Sequence, residues 1–353
     1  MRFKVYSYDI PFTQPFRLSG ITVEKRLGII FYLKNKHGEF WSEASPLPGF
    51  SPETFDDVRF EAIQVERWLP LLKGESAPVF SDDVTDATKF GISSLWYQQK
   101  AASEGKSLQK YLNPASFERV SVNAAIGLGD EKQVFAHAKK AIQNGYSTLK
   151  LKVGADFDHE YQLLKSLREY YPGIKIRIDA NQAWGVQEAL ENLKKLEPLN
   201  IEYCEQPLKV GMDDETTWLK KNTSQFIAAD ESIRSYEDAR KLIEQDVVDI
   251  LVLKPTLIGT IEDYFSIVDT ARKAGLGVVT TTTLESGIGR RIVAQMASAT
   301  QPEKYACGLS TGYLFSTDPL PDNDLIKNGN FTIYEIEDQP NVNKENLLLI
   351  AEN

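Results

Sequence analysis

The sequence predicts an α/β fold in which a (β/α) barrel follows a smaller α+β unit. Three observations carry this expectation. First, chemically active residues recur at the ends of short apolar runs: Lys152 in TLKLKVG, Asp179 in IRIDANQAW, Glu205 in IEYCEQPL, Asp230 in FIAADES and Lys254 in ILVLKPT. Their spacings of 27, 26, 25 and 24 residues each suit one strand, one helix and two loops. Second, strand and helix patterns alternate from about Val120 onward, whereas the first third reads as strands followed by helices. Third, a (β/α) barrel builds its active site from the C-terminal ends of its strands, which is where these residues fall.

Taken in order, MRFKVYSYDI and KRLGIIFYLKN read as strands separated by a polar loop from Gln14 to Glu24. The run ASPLPGFSPET, rich in proline, glycine and serine, is a second loop, and residues 53–113 read as mostly helical. SVNAAIG is a strand, and EKQVFAHAKKAIQNG a helix closed by Gly145 at its C-terminal cap. After STLKLKV, a helix sets Tyr161, Leu164, Leu167 and Tyr171 on one stripe. IEDYFSIVDTARKAG does the same with Ile261, Phe265, Val268 and Ala271. The strands are near-continuous apolar runs, as parallel strands covered by helices should be. LGVVTTTT supplies a seventh strand, and Tyr305 to Leu309 an eighth. The repeat spans Val120 to Leu309, short for a barrel of about 250 residues, so one helix or strand is expected to be reduced or replaced. An α+β domain over 1–115 and a barrel over 116–311 follow, with the tail 312–353, which contains the strand-like FTIYEI, returning to the first domain.

At 353 residues, 42% hydrophobic and 25% charged, the composition is that of a globular protein. Forty basic against fifty acidic residues give −10, which argues against nucleic acid or an anionic membrane as partner. Cys204 and Cys307 are too few for a disulfide framework, and a reduced, cytoplasmic setting is the economical reading. The start, MRFKVYSYDIPF, alternates like a strand rather than a signal peptide, and no run approaches the ~18 apolar residues of a membrane span.

Three carboxylates converging at a barrel mouth repel one another unless a cation neutralises them. Asp179, Glu205 and Asp230 offer only oxygen, with no histidine or cysteine in the same register, which suits a hard ion: Mg²⁺, with Mn²⁺ as substitute. Any one of them alone reads as a solvated strand-end acid; three in register, flanked by lysines, do not. Lys150 and Lys152 are two apart and share the inward face of their strand. Two neighbouring cations depress each other's pKa, so Lys152 is assigned as the base and Lys150 as its electrostatic helper. Lys254 arrives from the far side. A cation between two lysines suits removal of a proton from the carbon beside a carboxylate, so the expected partner is a small-molecule carboxylate.

KLKVG, RIDANQAW, EQP, ADES and KPTLIGT together resemble the lysine–lysine subgroup of the enolase superfamily, which includes muconate lactonizing enzymes, dipeptide epimerases and o-succinylbenzoate synthases. The resemblance covers nearly the whole chain. It implies a modified (β/α)7β TIM-like barrel behind an N-terminal α+β capping domain completed by the C-terminal tail. His37, His137 and His159 lie off the later strand ends, which disfavours the subgroup that uses a histidine base.

Within the subgroup the chain looks most like o-succinylbenzoate synthase. WSEASPLPGFSPET resembles that family's capping loop, in which Pro46 to Ser51 would close over the substrate, although Ser42 stands where the family commonly has glycine. KPTLIGT resembles the synthase run, and ACGLSTGYLF lacks the Asp-x-Asp pair with which dipeptide epimerases hold a substrate ammonium. The resemblance implies Mg²⁺-dependent syn dehydration of 2-succinyl-6-hydroxy-2,4-cyclohexadiene-1-carboxylate to o-succinylbenzoate in menaquinone biosynthesis. N-acylamino-acid racemase or dipeptide epimerase activity is the alternative. It also implies Lys152 as base, Lys254 as stabiliser of the enediolate, and Asn181 and Glu231 as supports of the metal ligands. Arg177 shares the inward face of Asp179 and is either such a support or the partner of a neighbouring acid. TTTLESGIGR offers hydroxyls and glycine amides for a succinyl carboxylate, although its Thr and Gly residues read equally as turn chemistry. Thr282, Ser286 and Gly287 from this run, Ser310 and Thr311 on the eighth strand, Gly20 in the polar loop and Phe50 in the capping loop are the expected substrate contacts. Both a monomer and a homo-oligomer are compatible with the sequence.

Overall fold

The computed structural model describes residues 1–18, 21–127, 129–302, 304–333 and 340–353. In chain order the strands are β1 (Arg2–Leu18), β2 (Ile21–Asn35), β3 (Gly38–Ala44), β4 (Arg119–Ser121), β5 (Ala124–Ile126), β6 (Thr148–Lys152) and β7 (Lys175–Asp179). There follow β8 (Cys204–Glu205), β9 (Ile227–Ala229), β10 (Ile250–Leu253), β11 (Gly277–Thr280), β12 (Ile326–Lys327), β13 (Asn330–Thr332) and β14 (Leu347–Glu352). They form three sheets. An antiparallel sheet has the order β14-β1-β2-β3, a parallel sheet runs from β11 through β10, β9, β8, β7 and β6 to β5, and a small antiparallel sheet has the order β12-β13-β4.

Strict alternation makes the first sheet a two-faced wall. Phe3, Val5, Ile29, Phe31 and Leu33 pack against Trp68, Ile92 and Leu95 of the helices Val65–Lys73 and Asp86–Ser103. The opposite face, with Tyr6, Tyr8, Ile10, Ile30 and Tyr32, meets Leu257, Leu284, Ile288 and Phe315 from the barrel. Burying each such side chain contributes about 1.5–3 kcal/mol, so the wall is held from both sides. The expected loop from Gln14 to Glu24 is largely strand instead. The β1–β2 hairpin continues through Phe16↔Val23 to Leu18↔Ile21 after an irregularity between Pro11 and Phe16. Polar composition predicts a loop, but the pairing of β1 with β2 makes this segment a two-stranded arm.

The parallel sheet curls, and its two edges are joined by single bridges. Thr281 pairs with Gly308 and Val122 with Cys307, both parallel, so the expected eighth strand is reduced to a two-residue closure. SVNAAIG, expected as one strand, divides: β4 joins the small sheet and β5 opens the barrel. Alternate strand residues serve two cores. Leu149, Leu151, Ile176, Ile178, Leu251 and Leu253 pack outward against helix residues such as Leu164, Leu193 and Val268. Tyr203, Ala228, Ile250, Val252, Val279 and Tyr305 fill part of the interior.

The tail divides as well. Of FTIYEI, expected to return to the first domain, residues 334–336 lie outside the described residues, and its start pairs elsewhere: Asn330–Thr332 lies against Arg119–Ser121 at the barrel entry. It is β14, beginning at Leu347, that adds a strand beside β1. Alternation identifies a strand without naming its neighbour.

Candidate active site

The parallel register sets three functional side chains on one level. Lys152 pairs with Asp179 across β6 and β7, and Asp179 with Glu205 across β7 and β8. Asp230 follows β9 directly, and Lys254 follows β10. Because Leu149 and Leu151 point into the helix layer, Lys150 and Lys152 must point inward. The same alternation turns Arg177 and Asp179 inward between Ile176 and Ile178.

Lys150 lies between two acids, 2.9 Å from Asp179 and 2.5 Å from Glu205. Burial opposes its charge, yet Asp179, Glu205 and Asp230 together hold its pKa well above the ordinary lysine value. The sequence makes it an electrostatic helper of Lys152, whereas its charge is engaged by the carboxylates. Lys254 pairs with Asp230, and its ammonium stands 4.0 Å from the centre of the Phe50 ring, a cation–π geometry.

A shell of amides holds the acids. The Asn181 N–H donates to Asp179 (3.1 Å) while its side-chain amide donates to Glu231 (3.0 Å). Gln206 accepts from the N–H groups of Asp230 (3.0 Å) and Ser232 (3.1 Å), tying the end of β8 to the end of β9. Asn181, Gln182 and Leu284, which line the cavity, and Gln206 beside them all take positive φ (43°, 68°, 59° and 41°), a conformation that costs free energy.

Burial pushes the Glu205 carboxyl up to about 8; Lys150 opposes this, and Asp179 and Asp230 reinforce it. Glu231 is raised to about 7, again by burial first and then by Asp230 and Asp179. Among the described residues no three such side chains already enclose an ion-sized space, since Lys150 occupies the gap between Asp179 and Glu205 and Lys254 is drawn onto Asp230. The donor set still fits a hard divalent cation. It is all oxygen, Asp179, Glu205 and Asp230 are each at most 7% exposed, and one buried oxygen of Glu205, Oε2, has no hydrogen-bond partner.

These groups line a cavity of about 1050 Å³. Its walls include Lys152, Asn181, Glu231, Thr281 and Thr282; Thr22, Leu47 and Phe50 come from the N-terminal unit, Lys209 and Val210 follow β8, and Leu284 and Thr311 complete the rim. The hydroxyls of Thr282 and Thr311 lie 3.2 Å apart. Ser310 is not part of this lining and bonds to the Tyr146 hydroxyl at 2.9 Å.

Two expected substrate contacts are committed elsewhere. Ser286 caps the helix Gly287–Thr300, where both its N–H and its hydroxyl donate to Glu43, and the Gly287 N–H donates to Asp318 (2.9 Å). Neither lines the cavity, because this helix begins against the capping domain rather than against the mouth. Gly20 lies outside the described residues. Arg177, fully buried, donates to Glu202 (2.5 Å) and to the Ala306 carbonyl (2.7 Å) and stacks over Tyr203. It therefore partners an acid one register level below Asp179. Sequence reasoning missed Gln206, Lys209 and Leu284; only the EQP run hinted at the first.

Residues 133–339 match the family model described as enolase C-terminal domain-like, and residues 1–97 match the MenC N-terminal domain. The o-succinylbenzoate synthase of Desulfotalea psychrophila is 32% identical over 217 residues, 60% of this chain and 58% of that protein. That of Klebsiella pneumoniae is 29% identical over 91% of this chain and 95% of its own length. The D-Ala-D/L-Ala epimerase of Cytophaga hutchinsonii is 25% identical over 90% of this chain and 88% of its own. Among solved structures, N-succinyl Arg/Lys racemase from Bacillus cereus superposes with a TM-score of 0.83 at 19% identity, covering 100% of this chain and 98% of that one. Muconate lactonizing enzyme from Pseudomonas fluorescens, complexed with muconolactone, gives 0.81 at 22% over 99% and 96%. At those identities the structures speak for the fold alone. Matched over more than half its length by the C-terminal model and at its start by the MenC model, the chain belongs to the enolase superfamily.

Proposed function

We propose that the chain catalyses the syn dehydration of 2-succinyl-6-hydroxy-2,4-cyclohexadiene-1-carboxylate to o-succinylbenzoate, a step of menaquinone biosynthesis in the cytoplasm. The observation that carries this reading is a pair of lysines, Lys152 and Lys254, on one carboxylate-lined cavity roofed by Phe50 of a MenC-type N-terminal domain. Synthases from several organisms align with nearly the whole chain, which supports it further. Members of the superfamily act on small carboxylates and use a divalent ion, typically Mg²⁺.

Asp179, Glu205 and Asp230 would hold that ion, with Asn181 and Glu231 orienting them. When bound, it supplies positive charge that stabilises the negative charge developing on the substrate carboxylate. Lys152, as the neutral amine, takes the proton from the ring carbon bearing the carboxylate. The resulting ammonium returns a proton to the departing hydroxyl on the same face, so water leaves, the ring becomes aromatic and the amine is regenerated. Lys254, four strands round the sheet from Lys152, remains charged and adds a second stabilising cation. Thr282 and Thr311 offer hydroxyls to the substrate's polar groups. Because aromatisation drives the elimination, the site needs no tight grip on the rest of the molecule.

The test is the Mg²⁺-dependent loss of cyclohexadiene absorbance. Wild type should turn over, and Lys152→Ala should lose about 10³-fold or more in kcat. A folded, Mg²⁺-supplemented wild type without turnover would sink the proposal. The second reading, racemase or epimerase activity, is favoured by the similarity to the Cytophaga epimerase and by the two lysines. It is checked by α-proton exchange of N-succinyl amino acids in heavy water. The absence of an acidic pair in ACGLSTGYLF weighs against a dipeptide with a free ammonium.

A further inference from the structure

Arg26 lies on β2, 1% exposed, and each of its five N–H donors meets a backbone carbonyl. Nε donates to Leu284 (3.0 Å), Nη1 to Leu27 (3.1 Å) and Pro46, and Nη2 to Ser45 (2.5 Å) and Thr283 (3.1 Å). Apart from its own neighbour Leu27, these acceptors belong to two segments far apart in the chain. One opens the capping loop and the other follows β11.

Both segments end at the cavity. The capping loop closes on itself, with the N–H groups of Phe50 (3.0 Å) and Ser51 (2.8 Å) on the Leu47 carbonyl and the Leu47 N–H on the Ser51 hydroxyl (2.8 Å). This turn presents Leu47 to the cavity and sets the Phe50 ring over Lys254. Across the gap, Leu284 lines the same cavity in a left-handed conformation (φ 59°) that a leucine adopts only when its surroundings impose it. The Arg26 guanidinium grips the carbonyls on either side of that residue's N–H, those of Thr283 and Leu284. A planar five-donor fork can span such a set of acceptors; an ammonium cannot.

We propose that Arg26 is a positioning residue that clamps the two lips of the cavity, holds Phe50 over Lys254 and fixes the space left for the substrate's acyl arm. The last part rests on the synthase reading; the clamp itself does not. Arg26→Lys and Arg26→Met test it by hydrogen exchange and by steady-state kinetics on the full chain with Mg²⁺. The amides of Phe50 and Ser51 should exchange about tenfold faster than in wild type while those of β6 and β7 keep their rates. KM for the cyclohexadiene substrate should rise about tenfold, with kcat reduced less. Unchanged exchange at Phe50 and Ser51, or an unchanged KM, overturns the proposal. So does a uniform rise across β6 and β7, or failure of both variants to fold, since each would make Arg26 a requirement of global stability. If wild type shows no synthase turnover, the proposed function fails while the exchange rates still decide the clamp.

Discussion

Arg177 stands two residues before Asp179 on the same inward face, and alternation alone establishes that much. Depth along the barrel axis decides its role. Lys150 pairs with Arg177 in the register while Lys152 pairs with Asp179, so the arginine lies one level below the carboxylates. There it faces Glu202, Tyr203 and the Ala306 carbonyl, contacts supplied by segments that only the closed sheet brings together. Replacing Arg177 with Met leaves Glu202 without its strongest partner and should lower stability by about 3 kcal/mol, read from urea unfolding. Turnover of the folded fraction should stay within about tenfold of wild type, far above Lys152→Ala; a loss as deep as that variant's would return Arg177 to the acids. Depth also explains what was legible. Asp179, Glu205, Asp230 and the lysines could be read because the interval between them repeats. Gln206, Lys209 and Leu284 lie in loops, where no period predicts which side chain or carbonyl faces the mouth.

The helix Gly287–Thr300 shows how an element can misdirect a reading of its own first residues. SGIG suggested hydroxyl and amide donors for a carboxylate, and a helix start does favour an anion. The group present is the carboxyl of Glu43 of β3, fully buried, which accepts from the N–H groups of Ser286 (2.9 Å) and Gly289 (3.0 Å) and from the hydroxyls of Ser286 and Tyr8. Burial pushes the Glu43 pKa up, against the pull of Ser286 and Tyr8, so this contact joins the capping sheet to the barrel rather than to a ligand. Gly287 is glycine for packing: a Cβ there would lie 1.7 Å from the Leu320 carbonyl oxygen. Gly287→Ala must therefore move backbone and should cost about 2–3 kcal/mol in thermal or chemical unfolding. Gly173→Ala, whose Cβ would meet nothing within 4 Å, is the control and should change stability by less than about 0.5 kcal/mol. Equal effects would remove the packing argument. Periodicity made the helices and most strands readable, since each reports its own buried face. Pairing partners were not readable, as FTIYEI and the β1–β2 arm show, because a strand's neighbour depends on chain far away in sequence.

At the scale of the molecule, Asp179, Glu205, Asp230 and Glu231 gather at one mouth, which ties stability to pH and, on the proposed function, to a divalent ion. Burial, reinforced by Asp179 and Asp230 and opposed by Lys150, raises Glu205 to about 8, and Glu231 rises to about 7. Unfolded, both would release their protons near 4.3. Between that value and about 8 the folded state thus binds more protons than the unfolded one. The stability these groups contribute is complete at the low end and is lost as pH rises, by at most about 1.4 kcal/mol per pH unit for each. Surface acids such as Glu39 and Glu352, held low by hydrogen bonds from Lys34 and Lys4, act with the opposite sign, and only as pH falls below the ordinary carboxylate range. Glu43 and Glu53, also raised by burial, act with the same sign as the mouth acids, so across a window from about pH 5.5 to 8 it is the comparison with Asp179→Asn that isolates the mouth. In chelator the melting temperature should fall across that window. Because a divalent ion binds the ionised carboxylates, Mg²⁺ should raise it more at the upper end than at the lower, with protons released on binding. Differential scanning calorimetry of wild type and Asp179→Asn reads both effects without any substrate. An Mg²⁺ shift that is independent of pH, or that survives undiminished in Asp179→Asn, would mean the ion stabilises the protein somewhere other than at Asp179, Glu205 and Asp230.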